Sequence, residues 1–207
     1  MSEASSSVPG QQPTLAILIS GRGSNMLAIA KACQTGQLAA RVSLVVSNRP
    51  EAAGIAAASA LGLDTAVIDH TAFDSRRDFD QALHERLLVV RPDWIVLAGF
   101  MRILTRSFVE RWEGRILNIH PSLLPRYPGL DTHARAIAAG DSHAGASVHI
   151  VSPELDAGPV IAQVQVPILP DDTTESLAQR VLKEEHTLYI QALQQCVGRH
   201  GLASLLP

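Results

Sequence analysis

The sequence predicts an α/β fold of three layers, in which helices cover both faces of a doubly wound, mostly parallel sheet. The first reason is that short apolar runs alternate with helical patterns along the chain. The second is composition: of 207 residues 46% are hydrophobic but only 4% aromatic, so Ala, Val, Ile and Leu must fill the core, as in buried parallel strands. The third is that only a turn separates the last two predicted strands, so one antiparallel strand is expected near the C-terminal half.

The first elements alternate strand and helix. A strand is predicted over residues 15–19, where a continuous apolar run stops at Ser20 and Gly21. A helical pattern follows over about 25–33, and a second apolar run predicts a strand over 42–46. The pattern is typical of a strand–helix–strand unit with parallel strands.

The next elements continue this alternation. An alanine-rich segment predicts a helix over about 52–61, and a short apolar run predicts a strand over 65–68. Apolar positions recur on one helix face over 75–90, and Pro92 ends that helix. The run over 94–98 is the fourth predicted strand.

The C-terminal half is predicted from the same signals. Its elements are, in order, a helix over about 105–112, a strand over 115–120, a helix over about 132–139, strands over 146–151 and 160–168, and a helix over about 174–196.

The domain organisation follows from these elements. Residues 1–13 lack the apolar stretch of a signal peptide and predict a disordered tail, and residues 14–207 predict one domain. We divide this domain into a phosphate-binding half, 14–100, and a half that carries the chemistry, 101–207.

Composition excludes several classes of function. A formal net charge of −3 provides no basic surface for nucleic acid, and no segment is apolar and long enough to be a membrane helix. Cys33 and Cys196 lack metal-binding spacing and are expected to be reduced thiols of a cytoplasmic protein. His133, His143 and His149 lack the spacing of metal ligands, so no metal site is expected.

The loop after the first strand is a candidate anion site. In open α/β sheets ligands bind beyond the carboxyl ends of the strands, and the sequence SGRGSN occupies residues 20–25 at such an end. No Lys-Ser/Thr pair follows, and Met26 replaces the third glycine of a dinucleotide fingerprint, so a monophosphate is favoured. The alternative is an ordinary strand-to-helix turn with Ser24 or Asn25 as helix cap.

The end of the fifth predicted strand is a candidate catalytic site. Asn118 and His120 are two apart and share one face of the strand, and Pro121 follows at once. An amide donor beside an imidazole suits acyl transfer, in which an oxyanion is held and a proton is moved. The alternative is an ordinary capping or core histidine.

A carboxylate would complete this site. Asp156 lies in the turn between the last two strands, where an aspartate most often binds nearby backbone N–H groups. Spacing alone does not place Asp156 beside His120. If the two meet, the carboxylate favours the protonated imidazole.

Four motifs together resemble the glycinamide ribonucleotide formyltransferase family. They are GRGSN at 21–25, NIHPSLLP at 118–125, YPG at 127–129 and LDAGP at 155–159. The similarity extends over about residues 14–195. The NIHPSLLP loop is shared with relatives that use 10-formyltetrahydrofolate, and the GRGSN loop points to the ribonucleotide acceptor.

The resemblance implies a Rossmann-like formyltransferase fold and a function in purine biosynthesis. The implied reaction transfers a formyl group from the co-substrate 10-formyltetrahydrofolate to the amine of glycinamide ribonucleotide. It implies small-molecule substrates, no metal, no nucleic acid or membrane partner, and a monomer or homodimer. By motif match, the implied catalytic residues are Asn118, His120 and Asp156, and the implied ribonucleotide contacts are Gly23, Ser24, Asn25 and Glu185. The implied folate contacts are Arg76, Met101, Arg102, Ile103, Leu104, Asn118 and Val151. Ala157 departs from the glycine that the family often has there.

Three alternatives remain at this point. A formyltetrahydrofolate hydrolase would use the same trio but usually carries an additional N-terminal domain, for which the stretch before residue 14 is too short. A methionyl-tRNA formyltransferase would need a basic tRNA surface. A non-catalytic nucleotide-binding module on the same sheet would bind ligand without turnover.

Overall fold

The computed structural model describes residues 12–197. The tail predicted for residues 1–13 therefore lies outside the described residues, apart from its last two. The strands are β1 (Thr14–Ile19), β2 (Arg41–Ser47), β3 (Thr65–Val67), β4 (Trp94–Leu97), β5 (Ile116–His120), β6 (His143–Ile150) and β7 (Val160–Pro167). The helices are α1 (Ser24–Gln34), α2 (Ala53–Ala60), α3 (Arg76–Val90), α4 (Arg106–Arg111), α5 (Thr132–Ala138) and α6 (Thr174–Cys196).

The strands form one seven-stranded sheet in the order β3-β2-β1-β4-β5-β6-β7. All pairings from β3 to β5 are parallel, and β6 pairs antiparallel with both β5 and β7. One reversed strand, β6, thus accounts for both antiparallel pairings, and the predicted fold class is confirmed. The chain order reverses between β1 and β4, and such a switch point opens a crevice at the carboxyl ends of the strands.

The sheet is buried on both faces. In β1, Leu15, Ile17 and Ile19 pack on one side with α1, α2, α5 and α6, whereas Ala16 and Leu18 pack on the other side with α3 and α4. Every residue of β1 is buried, because a strand covered on both faces needs apolar side chains in both directions. This explains the continuous apolar run in the sequence.

Most predicted and observed elements differ by about one residue at an end, and two differences are larger. Strand β6 begins at His143, three residues earlier than predicted, because His143 and Ala144 pair with Pro167 and Val166 of β7. A short 3₁₀ turn over His70–Ala72 was not predicted. Partner strands and local hydrogen bonds decide both features, and neither produces a periodic pattern in the sequence.

No helix among residues 12–197 is long and apolar enough to cross a membrane.

Candidate active site

A cavity of about 360 Å³ opens at the carboxyl ends of the central strands. Its walls come from the loop after β1, the segment after β4, the end of β5 and helix α6. The lining residues are Ser20, Gly21, Arg22, Gly23, Ser24, Asn25, Arg49, Ala98, Gly99, Met101, Ile119, Pro121, Leu182 and Glu185. The predicted anion loop and the predicted catalytic strand therefore border the same cavity.

The start of helix α1 is one wall of this cavity. Gly23 precedes the helix with φ +73°, and no side chain caps the helix, so Ser24 and Asn25 are not its N-cap. A Cβ at position 23 would lie 3.1 Å from Cε of Met26 and 3.3 Å from Cα of Gly54, so only glycine fits this turn. Uncapped N–H groups at a helix start attract an anion, which matches the predicted monophosphate site.

Two guanidinium groups line the same cavity. Arg22 lies inside the glycine loop and Arg49 follows β2, and both residues are exposed. The only ion pair recorded for either within residues 12–197 joins Arg49 to Glu51 at 3.9 Å. Sequence reasoning did not assign these arginines a role. The signal was present for Arg22, which lies within the motif, but Arg49 reaches the cavity only because β2 lies next to β1.

Asn25 and Glu185 form a buried pair on another wall. The Asn25 Nδ2 donates a hydrogen bond of 2.8 Å to Oε2 of Glu185, across 160 residues of sequence. Burial raises the pKa of the Glu185 carboxyl, an effect that the Asn25 hydrogen bond partly offsets. Within residues 12–197 the buried Oδ1 of Asn25 has no hydrogen-bond partner, so an unused acceptor lies beside the cavity wall.

His120 ends β5 and is held through both ring nitrogens. Its Nε2 lies 2.9 Å from the carbonyl oxygen of Tyr127, and its Nδ1 lies 3.4 Å from Oδ2 of Asp156. The residue is 6% exposed, while its neighbours Ile119 and Pro121 line the cavity. A carbonyl and a carboxylate can only accept, so both ring nitrogens of His120 face hydrogen-bond acceptors.

Asp156 reaches this imidazole because the chain turns sharply after β6. Its φ of +50° lies in the left-handed region, which aspartate tolerates better than most residues. Oδ2 also accepts a 2.9 Å hydrogen bond from the backbone N–H of Gly129, and Oδ1 lies 3.7 Å from Nε2 of His149. The carboxylate is thus fixed between two histidines and a loop backbone.

His149 positions the amide of Asn118, which it faces across the β5–β6 pairing. Nδ1 of His149 lies 3.0 Å from the carbonyl oxygen of Ile150, so Nδ1 carries the proton. Nε2 then accepts from Nδ2 of Asn118, 3.2 Å away. Burial lowers the pKa of His149, which keeps this imidazole neutral. One N–H of the Asn118 amide remains for another acceptor.

The segment after β4 contains most of the predicted folate contacts. Met101 and Ile103 are 67% and 58% exposed, whereas Leu104 is buried. The guanidinium of Arg102 lies 5.5 Å from the ring centre of Phe79. Val151 is half-buried and donates its N–H to the carbonyl oxygen of Ile116.

Arg76 lies apart from these residues in sequence, at the start of α3, and is exposed. Its charge acts on Asp80, whose Oδ2 accepts a 2.6 Å hydrogen bond from the backbone N–H of Thr105. Arg76 therefore lies close to the end of the predicted folate wall, but it does not line the cavity described above.

Sequence reasoning missed His149, the carbonyl of Tyr127 and Asp80. His149 and Asp80 act through contacts with residues 31 and 25 positions away, and Tyr127 acts through its backbone carbonyl, so no side-chain pattern in the sequence marks these contacts. Within residues 12–197 no group of three or more His, Cys, Asp or Glu side chains is arranged to hold a metal ion.

Comparison with known proteins identifies the family. Residues 14–193 match the family model described as formyl transferase. The chain belongs to the formyl transferase family. The match spans β1 to most of α6, so it includes every predicted site residue.

Individual members of the family are closely similar. Phosphoribosylglycinamide formyltransferase of Escherichia coli (strain K12) is 47% identical over 175 residues, which are 84% of this chain and 82% of that protein. The trifunctional purine biosynthetic protein adenosine-3 of Drosophila melanogaster is 45% identical over 192 residues, which are 92% of this chain but 14% of that protein. The crystal structure of phosphoribosylglycinamide formyltransferase from Brucella melitensis superposes with a TM-score of 0.85 at 48% identity, covering 89% of this chain and 95% of that one.

Proposed function

We propose that this protein transfers the formyl group of 10-formyltetrahydrofolate to the amine of glycinamide ribonucleotide, giving formylglycinamide ribonucleotide and tetrahydrofolate. The observation that carries the proposal is the contact between His120 and Asp156, because the residues on either side of His120 line a cavity that also includes the start of helix α1. The names of the similar proteins support the same reaction.

The ribonucleotide is held at two places, its phosphate and its ribose. Its phosphate binds the N–H groups that follow Gly23 at the start of α1, where Arg22 and Arg49 add positive charge. Its ribose hydroxyls donate to the acceptors of Asn25 and Glu185. With its phosphate and its ribose held, its amine extends toward the end of β5.

The folate approaches from the side of the segment after β4. Met101, Ile103 and Leu104 form the apolar wall, Arg76 and Arg102 supply charge for its carboxylates, and the turn that begins at Val151 covers the ring. A cytoplasmic location belongs to the proposal as well.

The chemical step needs only these groups. The lone pair of the amine attacks the formyl carbon, and the C=O electron pair becomes an oxyanion that accepts from the remaining N–H of Asn118 and is stabilised by the positive charge of protonated His120. Asp156 faces Nδ1, stabilises the charge on the imidazole and fixes the orientation of the ring. The carbon–N10 bond then breaks, and N10 receives the proton that the attacking nitrogen loses.

The test mixes the protein with 10-formyltetrahydrofolate, with and without glycinamide ribonucleotide, and follows deformylation by absorbance. We expect rapid loss of the formyl donor only when the ribonucleotide is present. Equal loss in its absence would indicate a hydrolase, and no loss in either mixture would indicate a binding module. Both of these results contradict the proposal.

A further inference from the structure

The ring of His120 takes its orientation from the loop that follows β5. The carbonyl oxygen of Tyr127 accepts the Nε2 proton at 2.9 Å, and this bond leaves Nδ1 to face Asp156. If the Tyr127 carbonyl moved away, the imidazole would lose the contact that fixes its rotation. The geometry of the proposed reaction therefore depends on where the backbone of residue 127 is held.

The backbone at Tyr127 does not adopt a relaxed conformation. Its φ of +55° lies in the left-handed region, which is unfavourable for a residue with a Cβ. Such a conformation persists only where surrounding contacts enforce it.

The carboxylate of Asp141 supplies a contact that holds Tyr127 in this conformation. The Tyr127 hydroxyl donates a 2.7 Å hydrogen bond to Oδ2, and Nη2 of Arg126 donates a 2.7 Å hydrogen bond to Oδ1. These bonds lower the pKa of Asp141, the Tyr127 bond most strongly, so the group is a charged acceptor at neutral pH. Two consecutive residues of the loop thus bind one carboxylate.

Asp141 is itself firmly placed. It follows α5, where Gly140 has φ +68° and the N–H of Asp141 donates to the carbonyl oxygen of Ala136. Strand β6 begins two residues later, at His143. The side chain of Asp141 is 12% exposed, so little water competes for its oxygens. The carboxylate ties the loop to the junction of a helix and a central strand.

A second guanidinium supports the same loop from α5. Nη1 of Arg135 donates a 2.7 Å hydrogen bond to the carbonyl oxygen of Pro128, and its guanidinium lies 5.2 Å from the ring centre of Tyr127. Arg135 therefore binds the backbone of Pro128, whereas the Tyr127 hydroxyl donates to Asp141. Asp141 is the acceptor that anchors the Tyr127 side chain.

We propose that Asp141 is a positioning residue for His120: it anchors the side chain of Tyr127, and the Tyr127 carbonyl in turn fixes the imidazole with Nδ1 toward Asp156. Asp141 itself does not touch the reacting atoms. The inference rests on the proposed formyl transfer for its kinetic consequence, but the effect on the ring of His120 is a property of the protein without substrates.

The first test is kinetic and uses three variants. Asp141→Ala removes both acceptors, Tyr127→Phe removes only the hydroxyl, and Asp141→Asn keeps one acceptor oxygen for that hydroxyl. We expect kcat to fall about 10- to 10²-fold in Asp141→Ala and similarly in Tyr127→Phe, with KM for the ribonucleotide nearly unchanged. Asp141→Asn should restore part of the lost kcat. The double variant should be no slower than Asp141→Ala, because both substitutions break one connection.

The second test is spectroscopic and needs no turnover. In ¹H–¹⁵N spectra of the protein without ligands, the Nε2–H of His120 should be visible and slow to exchange, because it is bonded to the Tyr127 carbonyl. This signal should broaden or vanish in Asp141→Ala and Tyr127→Phe. If the wild-type protein transferred no formyl group, this measurement would still decide whether Asp141 positions His120.

A matched control separates positioning from stability. Asp172 lies just before α6 and forms an ion pair with Arg180 of that helix. Hydrogen bonds to Asp172 lower its pKa, as the hydrogen bonds from Tyr127 and Arg126 lower the pKa of Asp141. Asp172→Asn should reduce thermal stability but leave kcat and the His120 signal at wild-type values. Unchanged kcat together with an unchanged His120 signal in folded Tyr127→Phe would overturn the proposal.

Discussion

Asp156 combines a strained backbone with a carboxylate in contact with three partners. Its φ of +50° suits aspartate and asparagine, and Oδ2 accepts the N–H of Gly129 while it faces Nδ1 of His120. Asparagine in this place can keep the backbone conformation and the Gly129 bond, but it has no charge to stabilise an imidazolium. The substitution therefore separates structure from chemistry.

We expect Asp156→Asn to lower kcat by about 10²–10⁴-fold. The free energy of unfolding should change by less than about 1 kcal/mol, because the hydrogen bond to Gly129 is retained. Steady-state kinetics and urea denaturation measure the two quantities. Near-normal turnover would count against a role for Asp156 in catalysis.

Glu185 gives a second residue-scale prediction, on pH. Burial raises its pKa above the usual 4.5, so the folded state binds this proton more tightly than the unfolded state does. Stability must then decrease as the pH rises from about 4.5 through the folded-state pKa. Glu185→Gln cannot ionise and keeps an acceptor for Asn25, so it removes this loss.

We therefore expect Glu185→Gln to be more stable than wild type at pH 7 and equally stable near pH 4, so the difference between the two proteins should grow as the pH rises. Its KM for the ribonucleotide should rise, because an amide is a weaker acceptor for hydroxyls than a carboxylate. Denaturant unfolding at several pH values measures the first effect. A stability difference that does not grow with pH would contradict this assignment.

At the scale of elements, helix α3 holds the segment that leads from β4 to α4. The buried side chain of Asp80 projects from α3 and accepts the Thr105 N–H at 2.6 Å. Burial raises the pKa of Asp80, and the Thr105 bonds and the charges of Arg102 and Arg76 partly offset this effect. The proposed folate wall at 101–104 is thus attached to α3 at its far end.

Asp80→Ala should cost about 1–3 kcal/mol of unfolding free energy, because it leaves the Thr105 N–H without its acceptor. KM for the folate should rise as the wall loosens, whereas Asp80→Asn, which keeps an acceptor, should lie close to wild type. Glu85→Ala, an exposed site on the same helix, serves as control and should change stability within about 0.5 kcal/mol. A wild-type folate KM in Asp80→Ala would show that α3 does not support the wall.

The elements themselves were largely predictable, with bounds that differ by one or two residues in most cases. Helix α6 was predicted over its exact span because one apolar face and a Thr173–Ser176 capping box define it locally. The start of β6 was not, since it depends on its partner β7. Local signals sufficed where an element is defined by its own residues.

At the scale of the whole molecule, the sheet separates two apolar layers, and both cysteines belong to one of them. Cys196 is fully buried, and burial raises the pKa of Cys33 to about 11. A thiol must ionise before it reacts, so the raised pKa protects Cys33 and complete burial protects Cys196 in the folded protein.

We expect Cys33 in the native protein to react with iodoacetamide at pH 7.5 about 10²-fold more slowly than free cysteine, and Cys196 to react only after unfolding. Mass spectrometry after timed alkylation, with and without guanidinium, measures both rates. Rapid modification of Cys33 in the folded state would mean that this face of the core opens readily.

The sequence by itself determined the layer order, nearly every element and the motifs that place the phosphate loop and the pair Asn118–His120. These follow from periodicity, turn residues and strand ends, which act over a few neighbouring residues. Only the tertiary structure decided that Asp156 meets His120, that Glu185 meets Asn25 and that Asp141 holds Tyr127. Such contacts join side chains on different elements, and strand register and packing bring them together, which no local pattern records.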